Sequence, residues 1–438
     1  LPAAGGEPRQ ARTAAASELH PIEPLLAAAQ RAGLRVLESR RLALITDRPI
    51  RDGDGVAELP LVFDQAFDAW CHHYGLDPHE LPDWRACGCL VIDRERFRAA
   101  GLLPDDVPPF LNGFCHRNRF WLADQSNPAY RRHLLLHEGV HAFTITVRDL
   151  DTPVWYTEGI AEYLATHRLE RDADGRPRFL PTPLPAQRAD VPQLGRIEQL
   201  RRLATAAPAL ADVLQSRGDG HGDIAAYAAS WAAVTLMARH PAHATAFTAV
   251  ERGPLDVTFN DRLAAAPGWD AARATRDFDA FVQEVDYGFD FDRSAIDWSP
   301  GRPLVGLGRV AVAADRGWQN TGFRLEAGRM VTLAASGRVR VGKIPQPPPA
   351  APTVLETEAD GISVDWYRGR PLGRLLAAQW VDAPAGGGRP RFVVVAEGSR
   401  GEFAAVTTGP LFVKLNEAPG SLADNEGSLD VEISPTTR

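Results

Sequence analysis

The residues best suited to chemistry lie in one run, Arg131 to Phe143, "RRHLLLHEGVHAF". It contains the pattern His-Glu-x-x-His as His137, Glu138 and His141. On a helix, side chains four apart lie one above the other, so His137 and His141 can present ring nitrogens to a single ion. Glu138, beside the first histidine, can then take a proton from a water held at that ion. A chain of this composition should contain roughly 0.02 such patterns by chance, so the match is informative. Leu134, Leu135, Leu136, Val140 and Phe143 predict that the helix is buried. Gly139 in its middle costs about 1 kcal/mol relative to Ala, which a plain core helix leaves unexplained. The competing reading is such a core helix with hydrogen-bonded histidines.

Two histidines cannot surround an ion, and a catalytic zinc takes three protein ligands and one open position. The next helical stretch, "WYTEGIAEY", offers Glu158, with 16 residues between it and His141. The break at "DLDTPVWYT" lets the chain turn and run a second helix past the first. Glu162, four residues on, shares the face of Glu158 and can accept the other N–H of a ligating histidine. His116, His133 and His167 are predicted to be surface or supporting histidines, with His133 facing away from the ion.

"HEGVH" followed by "WYTEGIAEY" resembles the gluzincin branch of zinc metallopeptidases, in particular the peptidase-MA-like family with its W-x-x-E-G-x-A-E-Y second helix. The resemblance implies Zn²⁺ held by His137, His141 and Glu158, with Glu138 as general base, in a zincin-type domain of a small mixed sheet plus helices. Thr157 stands where the aminopeptidases of that clan carry the Asn of Asn-Glu-Gly, which sets this chain apart from them. The later stretch "DIAAYAASWAAVTLMARH" resembles the family's helix carrying Tyr and Ser-Trp, which makes Tyr227 the donor to the oxyanion. "GFCHRNRFWLADQ" resembles the strand bordering the cleft and could pair with an extended substrate. The expected activity is a zinc-dependent peptidase, an endopeptidase, acting on protein or peptide. The alternative is a metal-binding protein that is catalytically inactive or acts on another bond, and works mainly as a carbohydrate- or protein-binding module.

Elements able to position these residues can be read along the 438-residue chain. Residues 1–20 are predicted to be a disordered lead-in, rich in Ala, Gly, Arg and Pro. Residues 21–128 read as mixed α/β, and 129–297 as a helical zinc-binding part. "DADGRPRFLPTPLPAQ" interrupts the helices as a Pro-rich excursion. Residues 303–438 change to a period of two with Gly and Pro punctuation, which predicts an all-β sandwich. The fold class is therefore multidomain α+β. A net charge of −8 argues against a nucleic-acid partner, and no apolar run is long enough for a membrane span.

The last part resembles the calcium-dependent galactophilic lectins and their galactose-binding-like relatives, through "GISVDWYRGRPLGRLL" and above all "NEAPGSLADNEGSLDVEI". By that match Glu417, Asp424 and Asn425 offer side-chain oxygens to Ca²⁺, and Ser421 and Val341 offer backbone carbonyls. A glycan is the implied partner, although Glu417 stands where those lectins have a shorter Asp and no clear His/Gln pair for the sugar is present. The alternative is a structural or targeting sandwich. Cys71, Cys87, Cys89 and Cys115 could be free thiols or form one or two disulfides, and their spacing fits no zinc ribbon. The chain begins without Met, which fits a secreted or periplasmic protein cleaved from its signal peptide, and equally a trimmed chain.

Overall fold

The computed structural model describes residues 19–436 apart from 52, 193–194, 204–205, 217–223, 345–346, 348–350 and 384–387. All but the last two residues of the expected lead-in lie outside the described residues. The chain is a multidomain α+β protein with a β-rich C-terminal part.

The first part is built on β1 (Arg35–Glu38), β2 (Leu42–Thr46), β3 (Ala86–Val91), β4 (Gly113–His116) and β5 (Arg119–Ala123), in the order β1-β2-β3-β5-β4. β2, β3 and β5 run parallel, while β1 and β4 pair antiparallel at the two edges. "LALIT" and "ACGCLV" are apolar on both faces because helices cover both faces. α1 (Glu23–Arg31) and α3 (Arg94–Ala99) pack on one side, and α2 (Leu59–Tyr74) and α4 (Pro128–Val147) on the other. The run "GFCHRNRFWLADQ", expected as one strand, is instead a hairpin. Arg117 turns at a φ of 57°, and the Asn118 side chain donates to the carbonyls of His20 and Arg85. The reversal makes β4 the outer strand. All four cysteines are free thiols.

The helical part continues with α5 (Val154–Ala165), α6 (Arg196–Leu203), α7 (Leu210–Leu214), α8 (Ile224–Arg239), α9 (Ala244–Glu251), α10 (Phe259–Ala264), α11 (Ala271–Glu284) and α12 (Phe291–Ser294). The Pro-rich excursion, residues 172–187, carries regular structure. It supplies the turn and second strand of a hairpin, pairing β7 (Pro177–Pro181) with β6 (His167–Arg171), which comes from the end of the preceding stretch. Prolines sit at the two ends of β7, where a strand tolerates them. Two glycines set the helix packing. A Cβ on Gly139 would lie 2.5 Å from the Phe63 ring and 2.8 Å from Trp70, so α4 can press onto α2 only without one. A Cβ on Gly159 would lie 2.5 Å from the Ser230 carbonyl oxygen, which fixes the approach of α5 to α8.

The C-terminal part begins with β8 (Arg302–Pro303), β9 (Gly308–Ala313), β10 (Gln319–Leu325), β11 (Met330–Ser336), β12 (Val339–Ile344) and β13 (Thr353–Thr357). β14 (Ile362–Tyr367), β15 (Arg370–Leu372), β16 (Leu375–Val381), β17 (Arg391–Glu397), β18 (Arg400–Ala404), β19 (Gly409–Leu415) and β20 (Ser428–Pro435) follow. A sheet β17-β16-β19-β10-β8 faces a sheet β18-β11-β20-β9, with hairpins β12-β13 and β14-β15 beside them. Alternate residues such as Leu429, Val431 and Ile433 fill the core between the sheets. A charged seam joins this part to the helices. Lys414 Nζ lies 2.6 Å from Glu284, Arg389 pairs with Asp279, and the Asp290 N–H donates to the Pro419 carbonyl at 3.3 Å.

Candidate metal centre

α4 starts sharply because the Asn127 side chain accepts the N–H groups of Ala129 and Tyr130, with Pro128 in the first helical position. Its buried stripe carries His133, His137 and His141. α5 follows Pro153 and turns Glu158 and Glu162 toward that stripe. The His137 and His141 Nε2 atoms lie 3.1 Å apart, and Glu158 Oε2 lies 3.3 Å and 3.5 Å from them. Bonds of about 2.0–2.2 Å in a tetrahedral zinc site imply edges of roughly 3.3–3.6 Å, close to this triangle. Glu158 Oε2 is buried and has no hydrogen-bond partner despite the two nitrogens beside it, as expected of a donor aimed between them. Two imidazoles and a carboxylate are a donor set that suits zinc.

Burial alone would raise the Glu158 carboxyl, but the His141 and His137 rings hold it far below the usual carboxylate range. Burial likewise disfavours a charged His137, yet the Glu158 and Glu162 carboxylates outweigh it and raise the ring to about 10. Glu162 Oε1 lies 3.0 Å from His137 Nδ1 and so fixes the ring's orientation. The same carboxylate is 3.2 Å from His133 Nε2 and is gripped by Arg196 at 2.6 and 2.8 Å. His133 therefore does not face away from the site. It lies one turn before His137, on the same stripe, and shares its carboxylate. Arg196 also donates to Gln199 at 2.6 Å. No local motif marks Arg196, because it arrives from a separate helix.

Glu138 is buried beside β4. A Cβ on Gly113 would lie 2.8 Å from its carboxyl carbon, so the bare glycine leaves room for the carboxylate at the sheet's outer edge. Tyr227, on α8, has its ring centroid 6.0 Å from that of His137, and the Arg196 guanidinium sits over it at 5.3 Å. Burial and the nearby Glu158, Glu138 and Glu162 charges push the Tyr227 hydroxyl well above its usual range, so it keeps its proton. His167 is a hydrogen-bonded core histidine: Arg132 donates to its Nε2, and its Nδ1 faces the Ala165 carbonyl at 2.7 Å. His116 is exposed on β4, with its ring 5.5 Å from that of His20.

The triad, Glu138 and Tyr227 all line one cleft of 1870 Å³, walled by β4, α4, α5 and α8. Small-molecule pockets span about 300–1,000 Å³, so this one has room for a polymer.

Among the described residues a second buried group, His240, His243 and Asp277, also has the composition to hold a metal ion. Its hydrogen bonds compete with that role. His243 Nε2 lies 2.8 Å from Asp277 Oδ2, while Trp298 donates to Oδ1 at 2.7 Å. His240 Nδ1 accepts the Ala242 N–H at 3.2 Å. A neutral ring has one N–H, so His240 Nε2 must then carry it and offers no lone pair.

In the sandwich, Asn425 Nδ2 donates to Glu417 at 2.5 Å and to the Ala314 carbonyl at 3.0 Å, while Asn425 Oδ1 is buried without a partner. A Cβ on Gly342, next to Val341, would lie 3.8 Å from Asp424 Oδ2. Burial raises the Glu417 carboxyl to about 8, opposed by the Asn425 amide and helped by Asp424 and Asp365. The fold thus brings Glu417, Asp424, Asn425 and the backbone beside Val341 near one another, and Ser421 is an exposed residue of the same turn.

No family model matches the chain, and no curated protein matches it. Solved structures that match include the EclA N-terminal domain, described as a PllA-like lectin, at 24% identity over 30% of this chain and 98% of that chain. The TM-score is 0.20, too low to carry a fold assignment.

Proposed function

We propose that the protein is a zinc-dependent endopeptidase of the gluzincin type, with a zincin-like unit in residues 21–297. The supporting observation is the convergence of three buried donor atoms, with an orphaned Glu158 oxygen, on the wall of a polymer-sized cleft. His137, His141 and Glu158 would hold the ion. Zinc bound there would supply Lewis acidity and acidify a water. Glu138 accepts the attacking water's proton and returns it to the leaving amine nitrogen. Tyr227 Oη, kept protonated by its carboxylate neighbours, donates to the oxygen that gains charge. The outer edge of β4 offers backbone groups to an extended chain. Arg196 is the one Lys or Arg among the described lining residues, and Glu162 and Gln199 occupy it, so none of the described cations there is free to hold a substrate's terminal carboxylate. That disfavours trimming from a substrate's C-terminus.

Metal analysis paired with turnover of a mixed peptide library tests this reading. About one zinc in both wild type and Glu138→Gln, with cleavage only by wild type, is the expected result. Zinc without cleavage of any peptide sinks the peptidase, and no zinc sinks the site. A second reading is a metal-binding protein without peptidase activity whose sandwich binds carbohydrate with Ca²⁺. The buried, unpartnered Asn425 Oδ1 beside Glu417 favours it. A glycan array with and without calcium tests that reading.

A further inference from the structure

We infer that the substrate is an extended, unfolded polypeptide segment with aliphatic side chains flanking the bond to be cut. The inference rests on the peptidase reading. Among the described residues of 19–300, the most exposed large apolar side chains are Leu111 at 79%, Val257 at 70% and Ile224 at 60%. Single exposed aliphatics are ordinary when scattered. These are not scattered, because all three line the cleft that holds Glu138 and the triad.

Their positions on the chain bring them close to the reacting centre. Leu111 is two residues before Gly113, the residue against the Glu138 carboxylate, so the bent chain there can span at most about 7 Å between them. Ile224 is three residues before Tyr227 on α8, close to one turn. Val257 lies between Leu255, whose carbonyl accepts the Asp151 N–H, and Asn260, whose side chain accepts the Trp155 indole N–H beside Glu158. Three separate elements therefore present bare aliphatic surface around one centre. A peptide paired along β4 would cover that surface with its own side chains, and apolar ones recover the most from leaving water. Such segments are buried in folded proteins, so an unfolded or loosely held chain is the class that can present them.

Zinc-loaded Glu138→Gln, which keeps the walls and lacks the base, allows binding to be measured without turnover. Fluorescently labelled peptides of one length, differing only in a central Leu-Leu, Gln-Gln or Asp-Asp pair, are titrated by anisotropy. Leu-Leu is expected to bind roughly tenfold tighter than Gln-Gln. Adding Leu111→Gln and Val257→Gln should abolish that preference. Equal affinities, a preference that survives those substitutions, or no binding of any peptide overturns the inference. Wild-type turnover separates it from its parent reading. Cleavage of all three peptides alike overturns the inference and leaves the peptidase. Selective binding with no wild-type cleavage overturns the peptidase and leaves an aliphatic-binding groove.

Discussion

Among its described residues the helical part holds two buried triads of the same make-up, two histidines and a carboxylate, at opposite ends of α8. Tyr227 near the start of α8 and His240 just past its end are roughly 20 Å apart along the helix. At the first triad the carboxylate oxygen has no hydrogen-bond partner, the His137 ring is oriented from behind by Glu162, and the front opens onto the cleft. At the second, Asp277 is occupied through both oxygens, by Trp298 and by His243. His240 Nδ1 is already used by a backbone N–H. Ligand types in proximity do not make a metal site. The first triad has an unpartnered carboxylate oxygen and an open face. The second, which could also hold an ion and keeps His243 Nδ1 without a partner, already acts as a clasp that ties α11 to the segment entering the sandwich.

That contrast breaks most sharply at the ligands. Glu158→Ala should drop bound zinc from about one per chain to near none, an affinity loss of a thousandfold or more, since each ligand carries a share of a large binding energy. His243→Ala should leave the zinc content unchanged, and metal lost in both variants would erase the distinction. Next in size, Asp277→Ala strands the His243 ring and the Trp298 indole N–H. We expect about 3 kcal/mol of lost stability in chemical denaturation with zinc content intact. Glu162→Gln should weaken zinc about 10–100-fold in competition titrations by loosening His137, and a full-strength site would remove Glu162 from the arrangement.

The smallest effect is on pH dependence. Burial, with the nearby His243 and Arg273 charges, holds the His240 ring at about 4 against the pull of Asp277. Its folded value lies below the unfolded one, so the stabilisation is complete above pH 6.5 and is lost as pH falls through 4. His240→Gln should flatten stability in that window by on the order of 1–2 kcal/mol. An unchanged slope would mean that this ring is not the titrating group.

What could be read from the sequence follows how local each signal is. His137, Glu138, His141, Glu158 and Glu162 sit at helical spacings, and the fold brings all five together. Arg196, from a helix 34 residues beyond Glu162, and Gly113, from a strand edge, act only through tertiary contact. Gly139 was open to a functional explanation on sequence alone, but the rings of Phe63 and Trp70 fill the space a Cβ would need. The β4–β5 hairpin lacks the usual Asn-Gly turn signal, since Arg117 takes the positive φ. The β6–β7 pair is masked by its prolines, which happen to sit at strand ends.

The seam between helices and sandwich bears on the inheritance of the two halves. A chain severed near residue 300 would leave the half-buried Glu284 without Lys414 and the buried Asp279 without Arg389. It would also uncover the apolar cluster of Ala280, Ile296 and Phe412. The two halves are therefore not interchangeable cassettes. A recombination event that grafted a foreign sandwich onto this scaffold would succeed only if the newcomer brought matching cations at both positions.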